Sequence, residues 1–128
     1  MIYVETDFLL ALAKRSDWLK DEAEAALEER TVRTSILAYA EFMLVSERYG
    51  IDRVRAVSNL VELVPPLPDE HADVVLKAVR YQDAHGLTNF DALHAGMADT
   101  WGTPVLGSEG DYDQLAIDRV ALEPTESE

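Results

Sequence analysis

Met1-Ile2-Tyr3-Val4-Glu5-Thr6-Asp7-Phe8-Leu9-Leu10 carries the chain from a short apolar run, through an acid, into a helical pattern. That junction decides the fold class. Met1–Val4 shows no polar alternation, so it reads as a strand buried on both faces, as in a parallel sheet. Thr6 and Asp7 are suited to cap a helix over Phe8–Arg15.

Strand-like and helix-like segments alternate from there. Ser16-Asp17 starts a helix reaching about Glu29, with Trp18, Ala23, Ala26 and Leu27 spaced for one buried face. Thr31–Thr34 is β-branched enough for a strand. Ser35 caps a long apolar helix from Ile36 to about Tyr49, closed by Gly50. Asp52 opens a helix over Arg53–Leu60, Val61–Val64 reads as a third strand, and Pro65-Pro66-Leu67-Pro68 as a connector. Asp69 caps a helix ended by Gly86, and Thr88 or Asn89 caps Phe90–Trp101, ended by Gly102. Pro104–Leu106 and Val120–Leu122 read as strands around a helical turn at Asp111–Leu115. Trp18 and Trp101 are expected in the core.

This alternation predicts an α/β domain, three layers α/β/α around a central, mostly parallel sheet. The 128 residues make one domain over 1–122, with 123–128 a polar acidic tail. Ligands of such sheets bind beyond the carboxyl ends of the strands. Glu5 and Glu109 follow the first strand and the Val105-Leu106 strand at that edge. Glu41 and Asp91 lie in the helices Ile36–Tyr49 and Phe90–Trp101. Glu41 is the sole charge within 35–46, and Asp91 the sole formal charge within 84–98. A buried carboxylate needs a partner, and cationic side chains nearby are few, so a hard divalent metal is the economical one.

Cysteine is absent, which excludes disulfides, thiolate metal sites and a cysteine nucleophile. No GxGxxG or GxxxxGK[ST] loop is present. No apolar run approaches the ~20 residues of a bilayer span, and residues 1–20 lack the basic n-region and cleavage site of a signal peptide, so no membrane association and a cytoplasmic location are expected. The net charge of −14 argues against nucleic acid in ordinary buffer. With lysine only at 14, 20 and 77, it also suits a halophilic, salt-rich cytoplasm where self-repulsion is screened. Arg48, Arg53 and Arg55 read first as scattered solvated charge, with a small RNA-facing patch as the alternative.

Four segments together resemble a known family. Ile2-Tyr3-Val4-Glu5-Thr6-Asp7-Phe8-Leu9, Thr34-Ser35-Ile36-Leu37-Ala38-Tyr39-Ala40-Glu41, Leu87-Thr88-Asn89-Phe90-Asp91-Ala92-Leu93-His94-Ala95 and Val105-Leu106-Gly107-Ser108-Glu109-Gly110-Asp111-Tyr112 are similar, in order and context, to the acidic motifs of PIN domains. The resemblance implies a Mg²⁺- or Mn²⁺-dependent ribonuclease, and for a small stand-alone domain a VapC-type toxin, homodimeric and silenced by an antitoxin. It implies Glu5, Glu41, Asp91 and Glu109 as metal and catalytic acids; Asp7, Asp111 and His94 are candidate auxiliaries from their positions beside them, Asp111 equally a turn former and His94 a core residue or a support to the ligands rather than a ligand. Three positions depart from the family pattern, which usually has Asp where this chain has Glu5 and Glu109 and a hydroxyl residue where it has Gly107. His94 lies three residues after Asp91 on one helix face, within reach of a hydrogen bond.

Overall fold

The computed structural model describes residues 1–107, 110–115, 117–122 and 124, with the Asp111 side chain outside the description. Its elements are β1 (Ile2–Tyr3), α1 (Thr6–Ala13), α2 (Lys20–Glu29), β2 (Val32–Ser35), α3 (Ile36–Val45), α4 (Arg53–Leu63), β3 (Pro66–Leu67), α5 (His71–His85), α6 (Asn89–Trp101), β4 (Val105–Gly107) and β5 (Arg119–Ala121). Single 3₁₀ turns follow α3 at Ser46–Tyr49 and β4 at Gly110–Gln114. The fold is the expected three-layer α/β/α arrangement with parallel strands. Among the described residues these form two ladders, β1-β2-β3 and β4-β5. Ile2 pairs with Val32, Thr34 with Pro66, and Val105 with Arg119. No helix among the described residues is long and apolar enough to cross a membrane.

The core lies where α3 meets its neighbours. Tyr39, Phe42 and Met43 of α3 are fully buried with Leu9, Val57, Val64, Val75 and Val79. Burying each such side chain contributes ~1.5–3 kcal/mol, as an upper estimate against an extended chain. The buried Tyr39 hydroxyl donates to the Val64 carbonyl at 2.8 Å, and burial pushes its pKa up. Helix α5 packs along α6 closely enough that a Cβ at Gly96 would stand 2.5 Å from the Val74 carbonyl oxygen.

Several boundaries differ from the sequence reading, each for a physical reason. The strand expected at Val61–Val64 is the end of α4 and its cap. Val57, Leu60, Val61 and Val64 recur at helical spacing and are all buried, and Pro65 then stops the helix. The third strand falls instead on Pro66–Leu67, inside the segment read as a connector. Pro66 has no N–H to give, which an outer strand tolerates. The first strand is not buried on both faces. It lies at the edge of its ladder, with Ile2 40% and Tyr3 57% exposed. Glu5, not Thr6 or Asp7, caps α1.

Helix α2 begins only at Lys20, leaving Trp18 86% exposed rather than in the core, and Trp101 is exposed in the last turn of α6. Asp69 does not cap α5. The first amides there are satisfied by the backbone, His71 N–H donating to the Pro68 carbonyl and Ala72 N–H to Asp69's. Ser35, Asp52 and Thr88 are the caps expected of them. Gly50, Gly86 and Gly102 end their elements with φ near +65°, where a side chain would be strained. The tail lies almost wholly outside the described residues.

Candidate functional site

Glu5 sits where β1 gives way to α1. Its carboxylate Oε1 accepts the Asp7 N–H at 3.0 Å, a helix-capping contact. The residue before it is fixed by β2, since the buried Thr34 hydroxyl donates to the Val4 carbonyl at 2.7 Å. The residue after it, Thr6, is 6% exposed, and its hydroxyl donates to Glu41 Oε1 by a short hydrogen bond. One contact thus ties the first turn of α1 to the middle of α3.

Glu41 is exposed, which corrects the expectation that an acid inside an apolar run is buried. Helix α3 is apolar nearly all round. Ala38, Tyr39, Phe42 and Met43 face the core, whereas Leu37, Glu41 and Leu44 form the outward stripe. Glu5 is exposed as well, and only Asp91 is half-buried.

Asp91 lies in the first turn of α6, where the helix dipole favours an anion. Its N–H donates to the capping Thr88 hydroxyl at 3.4 Å, and its Oδ1 accepts from the buried Tyr112 hydroxyl at 3.3 Å, a long hydrogen bond. Two residues earlier, Asn89 is 5% exposed and its Nδ2 donates to the Ala40 carbonyl at 2.8 Å, next to Glu41. Helices α1, α3 and α6, each carrying or opening on one acid, are therefore fastened together by neighbours of those acids. Thr6 and Asn89 do this fastening, and Tyr112 ties the turn after β4 to Asp91. In the sequence Thr6 and Asn89 had only capping signals, and Tyr112 an aromatic at the end of the fourth motif.

The ion pairs among described residues lie elsewhere: Lys14–Asp17, Arg53–Glu47, Lys77–Asp99 and Arg119–Asp113. Glu5, Glu41 and Asp91 are thus not neutralised by a lysine or arginine within 4.0 Å. The donors they present are all carboxylate oxygens, the chemistry a hard divalent cation takes. Among the described residues, however, no group of three acids or imidazoles is close enough to hold a metal ion. Of the other sequence candidates, Asp7 and His94 are exposed, Glu109 lies outside the described residues, and so does the side chain of Asp111. The Arg119 guanidinium donates to the Gly107 carbonyl at 2.7 Å and to Asp113 at 2.9 Å.

The family model of the PIN domain matches residues 2–120. No curated protein and no solved structure matches the chain.

Proposed function

On the premise that this chain belongs to the PIN domain family, a family of nucleases, we propose that it is a metal-dependent endoribonuclease and the toxin of a toxin–antitoxin pair. The observation that carries the reading is the fastening of α1, α3 and α6 through Thr6–Glu41 and Asn89–Ala40, beside Glu5, Glu41 and Asp91. Glu5, Glu41, Asp91 and Glu109 would hold Mg²⁺ or Mn²⁺, with Asp7, Asp111 and His94 as auxiliaries. When bound, such an ion supplies an activated water and neutralises phosphoryl charge. The protein's own part is to aim the carboxylates, and Thr6, Asn89 and Tyr112 do that from outside the ligand set.

The outward stripe of α3 supports the partners. Leu37 is 74% and Leu44 61% exposed on either side of Glu41, and Phe90 is 62% exposed beside Asp91. In a chain with 25 acids, leucines left on that face suit a surface covered in use, by a second copy or an antitoxin. A cytoplasmic, RNA-directed role follows from the same reading.

Asp91→Asn tests the proposal. RNA cleavage with Mg²⁺ or Mn²⁺ should be lost, Mn²⁺ affinity by calorimetry should fall, and the melting temperature should hold or rise as one of several repelling acids is neutralised. Cleavage at the wild-type rate would overturn the assignment. A second reading, a PIN domain that binds without cleaving, is favoured by the engagement of Glu5 as a helix cap. It predicts RNA binding with no metal-dependent cleavage in the wild type.

A further inference from the structure

The β1-β2-β3 ladder presents two unlike faces. Ile2 pairs with Val32 and Thr34 with Pro66 on the face that meets the core, where Val32 is 3% exposed and Thr34 fully buried. Side chains alternate along a strand, so Tyr3, Arg33, Ser35 and Leu67 share the opposite face. There Tyr3 is 57% exposed, Leu67 is exposed as well, and Arg33 and Ser35 are half-buried. Glu5 follows on that face. Val4 N–H still donates to the Arg33 carbonyl at 2.9 Å and Glu5 keeps an extended backbone, so Glu5 stands about 7 Å along the strand from Tyr3.

Tyr3 and Arg33 are register partners on neighbouring strands. The Tyr3 hydroxyl shares a 2.7 Å hydrogen bond with Ser35 Oγ, which holds the ring while much of the residue stays in water. Ser35 is itself fixed, since its Oγ accepts the Leu37 N–H as the cap of α3. The Arg33 guanidinium donates from Nη1 to the Val32 carbonyl at 2.9 Å. Among the described residues no carboxylate lies within 4.0 Å of it, in a chain where acids outnumber bases 25 to 11. Most of its N–H donors are left for an outside acceptor. A held aromatic ring beside such a cation is matched by a ligand with a flat π-face and a negative group. A nucleotide of single-stranded RNA has both: its base stacks on an aromatic ring and its phosphate accepts from arginine. A purely apolar cover would instead bury Arg33 without a counter-ion, which is costly.

We propose that Tyr3 and Arg33 form a nucleotide subsite beside the candidate carboxylates, the Tyr3 ring stacking on one unpaired base of the RNA and the Arg33 guanidinium holding a neighbouring phosphate. That the ligand is RNA rests on the nuclease reading above. Both are positioning residues: they lay the strand toward Glu5 and take no part in bond breaking. Stacking accepts every base, so the subsite confers a preference for single strands over duplex, whose base faces are already stacked, rather than for a sequence.

The test uses the full-length, metal-free protein and measures binding by fluorescence anisotropy to a labelled oligouridylate and to an abasic oligomer of equal length. The wild type should prefer the oligouridylate. Tyr3→Leu should weaken that binding about tenfold and leave the abasic oligomer unchanged, because only the stack is lost. Tyr3→Phe, which keeps the ring and loses the Ser35 bond, should keep most of the wild-type affinity. Arg33→Gln should weaken both oligomers alike and reduce the slope of log affinity against log salt by about 0.7, the share of one phosphate. Arg80→Gln, the same charge change at an exposed position of α5, should leave that slope unaltered. Equal wild-type affinity for the two oligomers, a Tyr3→Leu loss that extends to the abasic one, or an unchanged slope in Arg33→Gln would overturn the proposal. So would unchanged RNA affinity in both variants with a shift from dimer to monomer in sedimentation, which would assign the face to a second copy. The wild-type comparison stands even if a variant fails to fold. Wild-type cleavage with Mg²⁺ is measured separately. Cleavage by a protein whose variants bind like the wild type defeats only this subsite, whereas the expected binding without any cleavage defeats only the nuclease reading.

Discussion

Gly96→Ala probes the contact on which the placement of Asp91 depends. Gly96 lies on the face of α6 that meets α5, five residues beyond Asp91. A methyl group there would stand 2.5 Å from the Val74 carbonyl oxygen, 3.2 Å from the Ala78 nitrogen and 3.4 Å from the Ala78 Cβ. The first two neighbours are backbone of a packed helix, so no side-chain rotation relieves them. The helices must part by about half an ångström to restore a 3.0 Å contact. Overpacking of this kind costs ~1–3 kcal/mol. Against it, alanine gains ~0.8–1 kcal/mol of helix propensity over glycine. Because the 2.5 Å contact is with backbone, the overpacking cost lies in the upper part of its range, ~2–3 kcal/mol, and a net loss of about 1–2 kcal/mol is expected.

For a domain of this size that corresponds to a fall of roughly 4–8 °C in melting temperature. The assay is thermal unfolding by circular dichroism, with urea unfolding to confirm an unchanged slope. Separation of α5 from α6 should also move the start of α6 relative to α3, so the variant should lose Mn²⁺ affinity in calorimetry. A variant as stable as the wild type would refute the close-approach argument. A destabilised variant with unchanged affinity would refute the link between that contact and the site.

Thr6→Val keeps the side-chain shape and deletes the donor to Glu41. It should cost about 1 kcal/mol, at the low end because water can rehydrate an exposed carboxylate, and weaken Mn²⁺ about tenfold or more if Thr6 aims Glu41; unchanged affinity would remove that role. With a net charge of −14, the melting temperature should be higher in about 2 M KCl than in about 0.1 M, and a flat response would remove the salt-adapted reading. Stability should also fall in acid. The carboxyl of Asp113 is lowered by its hydrogen bond from Arg119, and that of Asp17 chiefly by the Leu19 N–H. A lowered folded-state pKa contributes stability above the ordinary value of 3.8 and loses it as pH falls through and below that value. Asp113→Asn should therefore flatten the decline in melting temperature below that pH, and an unaltered slope would show that the Arg119 pair contributes nothing there.

The layer order was legible because it rests on patterns a chain cannot hide. Short apolar runs, capping serine, aspartate and threonine, and glycines at helix ends placed most elements within a few residues. The exceptions lie where two rules compete. Val61–Val64 has strand composition, but its valines continue the helical spacing of Val57 and Leu60, and burial of that stripe prevails. Pro66 is disfavoured in strands, yet it pairs with Thr34 because it needs to donate nothing outward. Trp18 is large and apolar, but it precedes a helix whose buried face starts at Ala23.

The acids teach a different lesson. A lone carboxylate in an apolar segment looks like a buried charge seeking a partner, and for Glu41 that inference fails, because a helix apolar all round still has an outside. The signal survives in another form. Each of these acids is held by a donor from another part of the chain or from its own helix start, Asp7 N–H on Glu5, Thr6 on Glu41 and Tyr112 on Asp91, as Asp17, Asp52, Asp99 and Asp113 also are. An exposed glutamate on a purely solvated face has no need of such a hydroxyl, since water serves as well at no entropic cost. Holding Glu41 in one rotamer by the buried Thr6 costs conformational freedom without a matching gain in burial. The bond satisfies the buried Thr6 hydroxyl, and on the nuclease reading the fixed position of the carboxylate is itself what is used. Sequence spacing could therefore single out the acids, while their fixation depends on long-range contacts between residues whose types, threonine, asparagine and tyrosine, carry no such signal alone.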